Sequence, residues 1–259
     1  MTMSESLDKT ALSWWFPKIE AAGLPVPRTK IISMPSLARD YVWTAFDGKE
    51  GGADQRAAFE AFCGEIAEAG AEFGFPCFLR TDLTSAKHGW ERTCYLPTPE
   101  DIPAHVFAIA EFSECADIFG LDWSTWAVRE MLPTIPLGTC PGYGNMPVCR
   151  EFRVFVDDGV GRCAHPYWPR AALEQGGADT SICAEMVRPM VGRSGGIILA
   201  LAMRAGAALG GSWSVDILET SNGWYVTDLA EAHKSFHWEG CPHADSRPQP
   251  DLPKAAERG

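Results

Sequence analysis

Positive charge is scarce in this 259-residue chain: 22 Lys and Arg stand against 34 Asp and Glu, so the net charge is 22 − 34 = −12. A surface of that sign repels polyphosphate. This excludes broad non-specific nucleic-acid binding but leaves room for a local basic pocket holding one small anion. No heptad is sustained, and neither Gly (25) nor Pro (19) recurs at a fixed period, which excludes coiled-coil and collagen-like fibres. No internal repeat stands out. The nine cysteines, at 63, 77, 94, 115, 140, 149, 163, 183 and 241, include no CxxC pair, which argues against a zinc ribbon or a thioredoxin-type dithiol. A chain this long needs no disulfide staples, so reduced and mostly buried thiols are expected. Cys241-Pro242-His243 has the look of a metal-ligand pair, but it sits alone in a polar stretch and is read as surface. The most apolar run, residues 195–210, is too short to span a bilayer and contains Arg204, so it reads as a buried helix with no membrane partner. The start, MTMSESLDKT, has acids where an export signal needs a basic region, and cytoplasm is the expected location.

What the chain does have is core-forming material. Apolar residues make up 46%, charged residues 22% and aromatics 11%, with ten Trp. That composition excludes overall disorder, and the length suits one to two domains at about 150 residues each.

The first 75 residues read as a helix near Leu12 to Ala22, an extended piece VPRTKIISM, and a helix capped by Asp54 with apolar positions Phe59, Phe62, Cys63 and Ile66. Nothing in them points to catalysis. From Pro76 the texture changes. PCFLRT and WERTCYL read as a hairpin around the polar loop DLTSAKHG, Thr98-Pro99-Glu100-Asp101 starts a helix running to about Phe119, and STWAVREML returns as a strand. A Pro- and Gly-rich connector, PTIPLGTCPGYGNMP, leads to a second group. There CREFRVFV and GRCAHPYW pair through Asp157-Asp158-Gly159, and a small-residue helix spans about Ser194 to Leu209. WSVDIL and WYVTDL then pair through the Thr220-Ser221-Asn222-Gly223 turn. Residues from about Asp245 read as a disordered tail. Two α+β lobes joined by a connector is an arrangement that encloses a ligand.

Three constellations carry possible chemistry. Arg80 closes an apolar strand, where a buried cation is costly unless it meets an anion, and Lys87 lies in the loop beyond it; together they suit phosphate groups. An ordinary salt bridge to Asp82 or Glu91 is the competing explanation. In CREFRVFV, alternation puts Glu151, Arg153 and Phe155 on one face and Arg150, Phe152 and Val154 on the other. A structural pair across the sheet explains these arginines as well as a site does. In the last hairpin, pairing Leu218 with Trp224 sets Asp216 across from Val226 and Asp228 across from Ser214. The two acids then share one face, with Val215, Ile217, Tyr225 and Thr227 on the other. Two converging carboxylates need a cation, and Mg²⁺ with its oxygen ligands fits best; Glu231 stands ready to join or replace one of them. The competing explanation is two solvent-facing acids near a turn.

The order of these features is cations, the strand end Arg129-Glu130, an arginine strand, then an acid pair. In that order the chain resembles the ATP-grasp superfamily over roughly residues 76–238, most of all its divergent phage-associated branch, in which arginine replaces the usual first lysine. More distantly it resembles the eukaryotic cell-division-cycle assembly factor of that fold. The resemblance implies an ATP-grasp-like α+β fold, two α+β lobes enclosing a nucleotide with a short N-terminal region. The expected divisions are an N-terminal helical and extended region over 1–75, a small lobe over 76–132, a large lobe over 133–244 and the tail over 245–259. It implies ATP and Mg²⁺ as cofactors. Arg80 takes the α-phosphate and Lys87 lies over the β- and γ-phosphates. Glu130, with Met131 and Leu132 and flanked by Arg129, binds adenine and ribose. Arg153, with Arg150 on the same strand, lies near the γ-phosphate, and Asp216 and Asp228 hold magnesium. The family expects Asn two residues after the second acid, where this chain has Ala230, so Glu231 becomes the candidate for the missing oxygen. The glycine-rich loop is reduced to Gly89.

The implied activity is a ligase that joins a small-molecule or peptide carboxylate to an amine through an acyl-phosphate, with Arg153 and Lys87 as the catalytic cations. His88, His233 and His237 are candidates for proton transfer, each also readable as a packing or surface histidine. Two rival readings are an ATP-binding assembly or scaffold protein without ligase turnover, and an α+β protein whose charges are only structural.

Overall fold

A computed structural model of the chain describes residues 8–116, 120–190, 193–238 and 240–244. The expected tail over 245–259, and the expected helix end at Phe119, lie outside the described residues. In chain order the elements are α1 (Leu12–Ala21), β1 (Thr29–Ser33), α2 (Ser36–Phe46), α3 (Ala53–Phe73), β2 (Cys77–Thr81), β3 (Tyr95–Leu96), α4 (Ile102–Cys115), β4 (Thr125–Glu130), β5 (Pro136–Cys140), β6 (Met146–Cys149), β7 (Glu151–Asp157), β8 (Val160–Pro166), α5 (Arg170–Gln175), α6 (Cys183–Val187), α7 (Arg193–Leu209), β9 (Ser212–Thr220) and β10 (Gly223–Glu231). This is an α+β fold with antiparallel sheets.

Two compact units divide it. The described part of the first comprises residues 8–26, 133–140 and 147–244 apart from the gaps above; the second comprises 27–132 and 141–146. Residues 8–75, expected as one N-terminal region, are divided between the two units. Residues 8–26 fold with the C-terminal half, and 27–75 fold with the segment that follows them.

In the second unit the sheet order is β1-β4-β2-β3. Its core gathers Ile32, Leu79, Trp126 and Val128 from the strands with Phe59, Phe62, Ile66, Val106 and Ile109 from α3 and α4. The three- and four-residue spacing of Phe59, Phe62 and Ile66 makes α3 amphipathic, and the Gly52 amide donates to Gln55 Oε1 at 2.8 Å at its start. The stretch WERT is not strand. Trp90, Glu91 and Arg92 belong to a 3₁₀ turn over Lys87–Arg92 that Thr93 ends, and the ladder with β2 comprises Tyr95 and Leu96. The loop closes on itself instead: Thr93 Oγ1 donates to Ala86 O at 2.6 Å, and Ala86 takes a left-handed φ of 48°. β1 supplies the other edge, Thr29 pairing with Arg129.

The first unit carries the sheet β10-β9-β7-β8. Its β7–β8 turn uses Asp158 (φ 47°) and Gly159 (φ 75°), the left-handed pair that a tight two-residue hairpin requires. α7 lies so close to β7 that a Cβ on Gly206 would come within 2.6 Å of Val156 Cγ2. Ile198, Leu201, Ala202 and Ala205 form its buried stripe, against a sheet face that includes Phe152, Val154 and Val156. Arg204, the charge inside the apolar run, donates to Ala22 O at 3.1 Å and so satisfies a carbonyl at the end of α1. Trp14 of α1 stacks on Trp213 with centroids 5.7 Å apart.

The connector read as irregular carries β5 and β6, which pair, and α2, α5 and α6 are additional to the elements expected. No single helix among the described residues is long and apolar enough to cross a membrane. All nine cysteines are free thiols. Burial pushes Cys77 and Cys94 up to about 12, so each is about 10⁻⁴ thiolate at pH 8. Brief iodoacetamide treatment of the folded protein at pH 8 is therefore expected to label exposed Cys115 and spare Cys77 and Cys94. Peptide mass mapping checks this, with labelling in denaturant as the reference.

Candidate functional site

The face of the first unit's sheet away from α7 carries its charge. Strand pairing sets four residues side by side in one row across four strands: His165 on β8, Arg153 on β7, Asp216 on β9 and Asp228 on β10. Arg153 grips Asp216 with both ends of its fork, Nε to Oδ1 and Nη2 to Oδ2, each at 2.8 Å. The Asp216 side chain is 6% exposed and that of Arg153 20%. Burial works against the guanidinium charge, but the charge and hydrogen bonds of Asp216 outweigh it and raise the Arg153 pKa. Tyr167 lies under the guanidinium, 4.9 Å from it to the ring centroid. His165 is pushed down to about 4, first by burial and then by neighbouring His237, so at neutral pH it adds no positive charge to the row.

The acid pair arises by a different register from the one expected. Leu218 pairs with Tyr225 and Ile217 with Val226; the ladder then shifts, and Asp228 faces Asp216 directly. Tyr225 therefore shares the pleat of Leu218 and Asp216, where the sequence pattern had placed it opposite. Two local features cause this. Thr220 Oγ1 donates to Gly223 O at 2.8 Å and accepts from the Asn222 amide at 3.1 Å, closing the turn on two residues. One residue slipped in register would split the two acids between faces, and Thr227 absorbs that slip as a bulge. Its hydroxyl bridges Glu151 Oε1 and Asp216 O, both at 3.2 Å, which ties the bulge to β7 and β9. From sequence, Glu151 enters only through its place beside Arg153 on one strand face, and Thr227 only as a residue of the face opposite the acid pair.

Other candidates sit elsewhere. Ala230 faces Ser214, two pairs beyond Asp228, and offers no side-chain oxygen. Glu231 faces Trp213, which puts it on the other pleat from the acid pair, and it meets Lys234 at 3.4 Å. Arg150 precedes β7 and is held by Glu219 (Nη1 to Oε2, 2.8 Å) and by Glu185 (Nε to the carbonyl, 3.0 Å). That arrangement ties α6 to β9. His233 is exposed in a 3₁₀ turn.

The second unit holds its own set. Arg80 faces Ala127 and Arg129 faces Phe78, so the two arginines share one face of the sheet, while Leu79, Trp126 and Val128 fill the core on the other. Both are nearly wholly buried, 3% and 4% exposed. Arg80 Nε donates to Thr81 O at 2.9 Å, and Arg129 Nε to Thr29 Oγ1 at 3.1 Å. Lys87 follows left-handed Ala86 in the closed loop. His88 packs edge-on to Tyr143 (5.0 Å) and Phe112 (6.2 Å), and burial, then Lys87, lowers its pKa. Glu130 is engaged by Arg28, whose backbone amide donates to Oε1 at 2.9 Å and whose Nε donates to Oε2 at 2.8 Å. Met131 and Leu132 follow directly, Leu132 buried. The Arg28 contact joins residues 102 positions apart, and no local pattern signals it.

No protein-family model matches this sequence, and no curated protein matches it. Solved structures do. The chain is similar to C-terminally truncated Cdc123 from Schizosaccharomyces pombe, with a TM-score of 0.55 and 12% identity over 86% of this chain and 83% of that one. It is also similar to the RimK domain protein ATP-grasp from Sphaerobacter thermophilus, with a TM-score of 0.44 and 15% identity over 86% of this chain and 58% of that one. N5-carboxyaminoimidazole synthase from Aspergillus clavatus gives a TM-score of 0.48 and 12% identity over 85% of this chain and 44% of that one. The chain thus spans less than two thirds of each of the latter two. At these identities the likeness is one of fold, and the fold is similar to that of Cdc123.

Proposed function

We propose that this chain binds ATP and Mg²⁺ and joins a carboxylate to an amine. The observation that carries the reading is the direct facing of Asp216 and Asp228 beside the Arg153 fork. The donor set fits a hard divalent cation. Two carboxylates on one rung repel unless a cation screens them, and a carboxylate has about four lone-pair sites, so the Arg153 fork leaves acceptor capacity on Asp216. Asp216 and Asp228 would hold Mg²⁺, which when bound screens phosphate charge.

Arg153 holds a fixed positive charge where a phosphoryl group gains negative charge, and Thr227 and Glu151 keep the strand bearing Asp228 in place. In the second unit, Arg80 and Lys87 take phosphate contacts, and Glu130, with Arg129, Met131 and Leu132, takes adenine and ribose. In the reaction a substrate carboxylate oxygen bonds to the γ-phosphorus as ADP leaves. An amine then attacks the acyl carbon of the resulting acyl-phosphate, phosphate leaves, and the amine gives up its proton. Small-molecule and peptide carboxylates both suit this chemistry.

Hydroxylamine, as a surrogate amine, tests the proposal: with Mg-ATP and a pool of carboxylates it should yield hydroxamates and one ADP for each. A second reading, ATP-binding assembly without turnover, is favoured by Ala230 and by the placement of Glu231 on the other pleat. It predicts thermal stabilisation by Mg-ATP with neither ADP nor hydroxamate. Absence of any stabilisation by Mg-ATP would overturn both readings.

A further inference from the structure

Beside the charged row, a second cluster of donors gathers residues more than 70 positions apart. Cys163 and His165 alternate on β8 and so share the face that bears Arg153 and Asp216, while His237 and Cys241 come from the segment after β10. One donor atom from each of the four lies within 4.8 Å of every other. We propose that Cys163, His165, His237 and Cys241 form a structural zinc site that fastens the C-terminal segment to the edge of this sheet.

Four observations lead there. The donor set, two thiolates and two imidazoles, is the Cys₂His₂ composition that zinc takes in closed tetrahedral sites; it differs in kind from the oxygen set of Asp216 and Asp228. With Zn–S near 2.3 Å and Zn–N near 2.0–2.1 Å, tetrahedral donors lie about 3.3–3.8 Å apart, so closing the cluster on an ion takes shifts of about an ångström at most. His237 Nε2 is 3.0 Å from Cys163 Sγ, and its Nδ1 faces the Trp238 carbonyl at 3.4 Å, the disposition in which an outer-shell acceptor orients a ligating imidazole. His165 Nε2 is buried and has no hydrogen-bond partner. A buried imidazole nitrogen left unsatisfied is costly in a purely packed cluster and is accounted for by a ligand.

The surroundings are made for a fixed site. Trp238 stacks on His165 with centroids 5.7 Å apart and planes 14° apart, and Phe155 lies 4.2 Å from His237. Two thiolates neutralise the 2+ charge, so the closed site adds no net charge next to Arg153. His165 faces Arg153 across β7 and β8, so the ion would also stiffen the edge of the charged row.

The test uses the full chain, without a polyhistidine tag, purified under reductant. Metal analysis should find about one zinc per chain. After chelation, melting should occur at a lower temperature, and zinc but not magnesium should restore it. Cobalt(II) added to the chelated protein should give the visible bands of tetrahedral thiolate-bound cobalt, and Cys241→Ser should weaken cobalt binding by about tenfold or more. Cys115→Ser, outside the cluster, should leave it unchanged, and circular dichroism confirms that both variants are folded. Where Cys241→Ser does not fold, loss of the cobalt bands from the parent protein on selective alkylation of Cys163 and Cys241 gives the same answer. Protein without zinc that shows no such cobalt spectrum overturns the site, as does an intact mass two hydrogens light with a Cys163–Cys241 disulfide.

Discussion

Asp216→Asn is expected to lower stability by about 3–5 kcal/mol, because it leaves the Arg153 guanidinium without its counter-charge. Both side chains are mostly buried, and the pair is bidentate at 2.8 Å. Asn keeps the shape but presents an amide NH₂ to a group that only donates, so one of the two bonds becomes a clash of donors. Arg153 retains some solvent contact, which places the loss toward the lower end of that range. At about 2–4 °C per kcal/mol for a chain of this size, the melting temperature should fall by roughly 10 °C in calorimetry. Removing both charges, as in Arg153→Met with Asp216→Leu, should recover much of the loss, since the penalty comes from the stranded ion. A single-variant loss below about 1 kcal/mol would mean that the pair is as weak as an exposed one.

Arg80→Met is expected to weaken ATP binding by about 10- to 100-fold, the worth of one charge-assisted contact at about 1.5–3 kcal/mol. Arg80 lies at the end of β2 on the sheet face away from the aromatic core, beside Arg129. The proposed function assigns that charge to a phosphate contact, alongside its Nε bond to Thr81 O. Arg80→Lys keeps the charge and should retain most of the affinity, whereas a purely structural arginine would be served poorly by lysine, which cannot reproduce the Nε bond to Thr81 O. Isothermal titration with Mg-ATP separates the cases. Unchanged affinity in Arg80→Met would remove Arg80 from the nucleotide site.

The parts of this fold legible in the sequence are those set by local rules. The β7–β8 turn follows from Asp158-Gly159, α7 from its small-residue stripe, and the common face of Arg153 and Glu151 from strand alternation. The convergence of Asp216 and Asp228 was also legible, although the pairing that produces it was not. The two-residue turn and the Thr227 bulge each shift the ladder by one residue in the same direction, so together they return the acids to one face, and a bulge leaves no mark in a period-two pattern. Long-range partners were the least legible. Arg28 reaches Glu130 across 102 residues, and Cys163 and His165 meet His237 and Cys241 only once the C-terminal segment lies on β8. Local spacing pairs Cys241 with His243, but the histidines it meets are His165 and His237. The one local trace of that cluster was the alternating Cys-x-His within GRCAHPYW, which any half-buried strand can carry.

The most direct test of the nucleotide account compares Asp228→Asn with the parent protein in one assay: ADP released from Mg-ATP in the presence of mixed carboxylates and amines, with melting temperatures taken on the same samples. The account predicts turnover in the parent and a loss of about 10²-fold or more in the variant, with melting temperatures within a few degrees of each other. Equal turnover in the two proteins, or none in either, would contradict it.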